Sequence, residues 1–418
     1  MRTELAARTR GSLPERLLSA KRIRAQATIL AVCLWAVCMF DFATPGLFDR
    51  AGNIKFQDFL PVYISARLIA QHRATELYDA NVQAHELHAI IGEPTRVQIP
   101  NVYGPQVGLL FVPLTNFSFP TAAEIWVALS LLLYFACIYV VWGFCLKLRP
   151  YAGLVATASL AYPPLFHFFV RGQISVLLLA CFTAAFLAMR AGRPWLAGMA
   201  LGILVLKPQF LVAIPLILVL GGGWRIFAGL LVSAAAQLVV ARLYFGAAVM
   251  QSYFSLLTHP SRWIDSAELS LAPIQMHSLR AFWSLVIPST SVIFALYVLS
   301  SIVVLIMASY TWRSPAPLAF RFSALAFAAV LVNPHLFIYD LLVLAPAFLL
   351  LANWILGNAQ SVVSPRLKIL LYMAFVLPLL GPLSSWTHLQ LSVVAFAALV
   401  WVLGRARRQL ASAESRGV

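Results

Sequence analysis

"GILVLKPQFLVAIPL", residues 202 to 216, places one lysine and one proline in the middle of an otherwise apolar run. The flanking apolar pieces cover 195–206 and 208–221. At about 1.5 Å per helical residue, neither piece crosses about 30 Å of hydrocarbon. Pro208 interrupts the helical hydrogen-bond ladder, and an ammonium group in hydrocarbon is costly unless it is paired or faces a cavity. Broken helices survive in membranes only where protein or a watery hollow surrounds them. The stretch therefore predicts a polytopic membrane protein with an interior helix break and Lys207 at its tip.

The rest of the chain agrees. Of its 418 residues, 61% are hydrophobic and 11% charged, against roughly 25% charged in soluble domains. Apolar runs predict twelve spans: 25–47, 121–146, 152–170, 174–190, 195–206, 208–221, 226–244, 289–311, 317–332, 336–353, 367–381 and 387–404. The net charge of +16 points to topology rather than to nucleic acid. Arg2, Arg8, Arg10, Arg16, Lys21, Arg22 and Arg24 precede the first run, and Arg405, Arg407, Arg408 and Arg416 follow the last. Basic flanks of this kind predict two cytoplasmic termini, with acids concentrated on the outer side. The first run continues beyond a short signal-peptide core and lacks a small-residue cleavage pattern, so it reads as an anchor.

The predicted organisation is a basic N-terminus (1–24), a membrane domain (25–404) and a basic tail (405–418). The membrane domain carries outer loops at 48–120 and 245–288. Within the first loop, "NVYGPQVGLLFVPL" (101–114) is too short to span and too apolar for open water. It is expected in the interface or dipping inward. Cys33, Cys38, Cys137, Cys145 and Cys181 all fall in or beside apolar runs and read as small hydrophobes.

No phosphate-cradling glycine loop, nucleophile elbow, zinc-protease motif or paired-aspartate metal grip is present. Nothing visible requires a metal or other cofactor. What remains is a set of polar groups at the outer ends of apolar runs. Asp58 lies in "IKFQDFLPVYISARLI" (54–69), and Arg171 and Gln173 in "FVRGQIS". Lys207 and Gln209 lie in "LKPQF", and Asn333, His335, Tyr339 and Asp340 in "VNPHLFIYD". Ionisable groups at membrane depth usually mark function, yet each has a plainer reading. Asp58 reads equally as a cap for a helix starting at Phe59. Lys207 reads as a snorkelling side chain, Arg171 as an interface anchor, and His335 as part of a tight turn. Asp340 reads as a partner for a neighbouring span. His259, Asp265, Glu268 and His277 read as solvated loop groups.

Taken together, "FQDFLPVYISARLIAQHRATELYD", "YGPQVGLLFVPL", "RGQISVLLLA", "GILVLKPQFLVAIPL" and "NPHLFIYDLLVL" resemble glycosyltransferase family 87 in order and topology, over about residues 35–355. The family often has Tyr-Pro-Pro where this chain has Tyr103-Gly104-Pro105. The resemblance implies an all-α GT-C membrane fold with interfacial helices in the first outer loop, in a bacterial-type plasma membrane. It implies transfer of a sugar, mannose by family default, from a polyprenyl-phosphate donor to a lipid or glycan acceptor on the outer face. It also implies that Asp58 matches the catalytic acid of the family, that His335 lines the site and that Lys207 lies near the donor phosphate.

A mechanism follows from these expectations. Asp58 takes a proton from the acceptor hydroxyl, while Lys207, with Arg171 or His335, stabilises the departing phosphate. Gln173, Gln209, Tyr103 and Asn333 complete the expected substrate-binding set. One carboxylate acting as base implies inversion and an α-linked product, because retention calls for a second carboxylate nearby. The rival class is a transporter or flippase of lipid-linked sugar or another anionic substrate. Transporters tend to show repeats and charges near the midplane, whereas these polar groups gather at one face.

Overall fold

The computed structural model describes residues 18–92, 101–258 and 274–414. Among them the chain is helical apart from turns and two isolated bridges, Phe48 to Ile54 and Met276 to Phe337. The protein is an all-α polytopic membrane protein.

In chain order, α1 is Ala20–Phe42, α2 Leu60–Ala70, α3 Ala80–Ile91, α4 Pro105–Phe111 and α5 Phe119–Gly143. Next come α6 Ala152–Leu160, α7 Pro163–Arg171, α8 Ser175–Arg190, α9 Pro194–Gly202 and α10 Ala213–Leu220. The remainder are α11 Trp224–Thr258, α12 Leu279–Val286, α13 Thr290–Arg313, α14 Leu318–Val332, α15 Ala345–Gly357, α16 Val363–Val376, α17 Ser384–Thr387 and α18 Leu391–Glu414.

Among the described residues, six helical stretches are long and apolar enough to span, with a seventh if a bent pair counts as one. That pair, Leu146–Leu160 and Pro163–Arg171, turns by 44°. Pro163 and Pro164 open the second member, where a missing N–H costs nothing because the first turn has no partner for it. The other apolar helices, such as Ser175–Arg190 and Leu318–Val332, are only 10–17 residues long, as the sequence runs imply, and neighbours shield them. In α14 every residue from Phe322 to Val332 is buried. A helix that is apolar on all sides belongs in an interior. By contrast, Ile29 on α1 and Phe294 and Leu299 on α13 are more than 60% exposed, as lipid-facing side chains should be.

Boundaries differ from the sequence expectation at several places. The first span runs from Ala20 rather than 25 and stops at Phe42, so Asp41 closes the helix and 43–47 form the turn after it. The span expected at 226–244 continues to Thr258 across a kink at Gly246, whose φ is +84°. The piece expected in the interface or dipping inward folds as α4 followed by a 3-10 turn, Val112–Asn116, with Val107, Gly108 and Phe111 buried. His259, Asp265 and Glu268, read as loop groups from sequence, lie outside the described residues.

The break at Lys207-Pro208 is present as anticipated. α9 runs through a 3-10 turn, Ile203–Leu206, to Lys207, and a second one, Pro208–Leu211, leads into α10. Lys207 is only 5% exposed, so it does not reach out to headgroups.

Candidate functional site

The segment that follows α1 is fastened to the end of α7. Gly172 ends that helix with φ +66°, and a Cβ there would lie 2.9 Å from Cβ of Phe56. Glycine thus permits both the left-handed turn and the close approach. Phe56 itself takes φ +56°, and its N–H reaches the carbonyl of Val170 at 3.3 Å. Asp58 donates its backbone N–H to the carbonyl of Arg171 at 3.0 Å. Phe59, fully buried, stacks on Trp126 at 6.1 Å, and the indole N–H of Trp126 donates to the carbonyl of Gly172 at 3.1 Å. Asp58 is therefore set by backbone bonds and aromatic packing on both sides.

Asp58 does not cap α2. That helix starts at Leu60, its cap position is Phe59, and no side chain bonds its first turn. The carboxylate instead turns toward the start of α8. Gln173 Nε2 donates to Asp58 Oδ2 at 3.0 Å, and Arg171 Nη1 lies 3.7 Å from Oδ1. Gln173 Oε1 accepts from the Tyr103 hydroxyl at 3.0 Å and from the N–H of Ile174 at 3.0 Å. A single buried amide thus joins the acid to the phenol. Burial raises the pKa of Tyr103, which keeps the phenol protonated and donating. Tyr78 anchors the backbone there, its hydroxyl donating to the carbonyl of Tyr103 at 2.8 Å.

Lys207 lies behind Tyr103. Its Nζ is 5.9 Å from the Tyr103 ring centroid and 5.1 Å from that of Tyr339. It donates to Asp340 Oδ1 at 2.6 Å and to Ser175 Oγ at 3.3 Å, while Ser175 donates to the same Asp340 oxygen at 2.6 Å. The lysine that sequence assigns to the donor phosphate is thus already paired with a carboxylate. Arg171, about one-third exposed, is the cation of the cluster that faces outward.

The remaining predicted residues sit at one remove. Asn333 is fully buried, and its Oδ1 accepts the N–H of His335 at 2.9 Å, fixing the turn. His335 is exposed and packs edge-on against Phe337 at 4.9 Å, and Phe337 in turn contacts Tyr339. Gln209 is half-buried in the 3-10 turn after Pro208 and makes no hydrogen bond to the cluster among the described residues. Arg67 faces Glu86 at 3.7 Å, and Arg73 bridges Glu76 and Glu86 at 2.6 and 2.9 Å. The charges of 67–86 thereby satisfy one another away from Asp58.

Sequence reasoning passed over Ser175, which looks like an ordinary small residue at the start of an apolar helix. It also misjudged His277. That side chain is 1% exposed, its Nδ1 is 2.7 Å from Ser392 Oγ, and its N–H donates to the carbonyl of Leu336 at 3.0 Å. It is an interior strut between the start of α12 and the His335 turn. Among the described residues, no three His, Cys, Asp or Glu side chains converge as a metal site would require.

These elements define a class: an all-helical membrane protein with a largely shielded carboxylate between an arginine and a buried lysine–aspartate pair. The family model for glycosyltransferase family 87 matches residues 101–334, more than half of the chain, and the chain belongs to that family. It is a membrane glycosyltransferase, acting between a sugar donor and an acceptor. The match takes in Tyr103, Arg171, Gln173, Ser175, Lys207, Gln209 and Asn333; Asp58, His335 and Asp340 fall outside it. No match was found among curated proteins, and none among solved structures.

Proposed function

We propose that this glycosyltransferase has a GT-C-type catalytic domain and takes its sugar, mannose by family default, from a polyprenyl phosphate. The acceptor is a lipid or glycan hydroxyl at the outer face of a bacterial-type plasma membrane, and both termini are cytoplasmic. The first outer segment and the Lys207 break belong to that one domain. The observation that carries the reading is the Asp58 carboxylate. It is 16% exposed, held from one side by Gln173, and flanked by an arginine with donors to spare.

Asp58 acts as the general base. It accepts the acceptor hydroxyl proton as that oxygen attacks the anomeric carbon, a contribution of roughly 10²–10⁴ in rate. Gln173 donates to one carboxylate oxygen and leaves Oδ1 toward Arg171 and the substrate. Electrons of the breaking glycosidic bond pass to the phosphate oxygen of the polyprenyl phosphate. Arg171 binds that phosphate, since its planar fork suits phosphate geometry. Lys207 acts from behind, as a fixed dipole with Asp340, alongside His335 at the rim. Asp340 is 1% exposed and bonded to both Lys207 and Ser175, so it does not serve as a nucleophile. One available carboxylate supports inversion, giving an α product from a β-linked donor.

The test is incubation of the purified protein with a radiolabelled polyprenyl-phosphate sugar and membrane glycolipid acceptors. The expected result is release of free polyprenyl phosphate with label in a new α-glycoside. Movement of intact donor between leaflets without bond cleavage would instead identify a flippase.

A further inference from the structure

A second feature lies at the opposite end of the bundle from Asp58. A groove of about 440 Å³ runs between α1, α6 and α16, with α15 as its floor. Its deep part, from Leu30 and Ala158 to Phe348 and Phe375, is apolar. Its mouth, near the starts of α1 and α16, carries Gln26, Tyr372 and Lys368, with the Tyr372 hydroxyl donating to Gln26 Oε1 at 3.1 Å. The volume falls within the ~300–1,000 Å³ common for small-ligand sites.

The charge around that mouth is one-sided. Arg24 lies against Gly153, where an added Cβ would meet its guanidinium carbon at 2.9 Å, between the groove residues Tyr151 and Leu154. Neither Arg24 nor Lys368 has a carboxylate partner among the described residues. Asp41, Asp49, Asp58, Glu76, Asp79, Glu86, Glu124 and Asp340 belong to the other end. A long apolar slot topped by unneutralised cations matches a molecule with a fatty chain and an anionic head. Basic pockets between spans are known to select anionic headgroups.

We propose that this groove binds one anionic phospholipid of the leaflet opposite Asp58. One acyl chain lies along Leu30, Ala158 and Phe375, and the phosphate sits over Lys368 and Arg24. A lipid held there braces α1 and α16 against the bent pair α6–α7, whose far end carries Arg171.

The experiment is native mass spectrometry of the detergent-purified full chain. It is titrated with phosphatidylglycerol or with phosphatidylcholine of identical acyl chains. Phosphatidylglycerol should be retained as a single copy, about tenfold or more in preference to phosphatidylcholine. The pair Arg24→Gln with Lys368→Gln should abolish that preference while leaving lipid-free thermal unfolding unchanged. Ala158→Phe, which fills the slot, should remove the retained copy of either lipid. Equal retention of the two lipids overturns the proposal, as does undiminished phosphatidylglycerol binding in the charge variant or the slot-filled variant. One-for-one displacement by farnesyl phosphate would overturn the assignment to a two-chain lipid.

Discussion

Two ion pairs sit within one cluster, and they differ in almost every physical respect. Arg171 and Asp58 are 3.7 Å apart with side chains 34% and 16% exposed. Lys207 and Asp340 are 2.6 Å apart with side chains 6% and 2% exposed. The first pair is loose and screened by water, so its net worth to stability is small. A substrate can insert between its members at little cost. The second pair is desolvated, and separating or deleting either partner leaves an uncompensated charge in the interior. The outer pair is therefore suited to chemistry, and the inner pair to holding three helical breaks together: Lys207 between α9 and α10, Ser175 at the start of α8 and Asp340 after α14.

The largest separation between the pairs is expected from Asp58→Asn. Transfer should fall by roughly 10²–10⁴, with stability in detergent within about 1 kcal/mol of the parent. A variant with near-parental turnover would remove Asp58 from the base role. Lys207→Met should behave in the opposite way, destabilising by about 3–5 kcal/mol because Asp340 is left buried and unpaired. The double variant Lys207→Met with Asp340→Leu should recover at least half of that loss in denaturant titrations. If the double variant also transfers sugar at the parental rate, the inner pair is purely structural.

Gln173 is the link between the two regions, and its replacement sharpens the comparison. Gln173→Leu strips a donor from Asp58 and an acceptor from Tyr103, and should cost about 1–3 kcal/mol of stability. Transfer should fall with it, since the carboxylate of Asp58 then loses the amide that orients it.

The smallest effect concerns His277. Burial, with His167 nearby, pushes its pKa from 6.5 down to about 3. The folded state thus binds fewer protons than the unfolded state between those values. Its contribution is fully present above about 6.5 and is lost as pH falls toward 3. Between pH 7.5 and 5.5 the parent should lose about 1.4 kcal/mol from this group, and His277→Gln should lose less. Identical pH dependence in the two proteins would mean that His277 is solvated after all.

Much of this was legible along the chain, for reasons that are local. Lys207-Pro208 forbids a continuous helix wherever it is placed, so the break needed no partner to be foreseen. Asp58 stood out because an acid beside an apolar run is expensive. Other readings failed because they depended on partners far away in sequence. Asp58 resembles a helix cap until Gln173, 115 residues later, is seen to hold it. Lys207 resembles a free phosphate ligand until Asp340, 133 residues later, is seen to neutralise it. Ser175 gives no signal at all, since a hydroxyl becomes informative only when two charged groups converge on it.

By itself the sequence determined that this chain lives in a bilayer, where it breaks, and which few polar groups are too costly to be incidental. These properties follow from transfer energies and backbone geometry, which act residue by residue. Only the tertiary structure decided which cation is spent on an internal carboxylate and which stays open to a ligand. Charge pairing depends on the distance between side chains, and that distance is set by the packing of helices remote from one another in the chain.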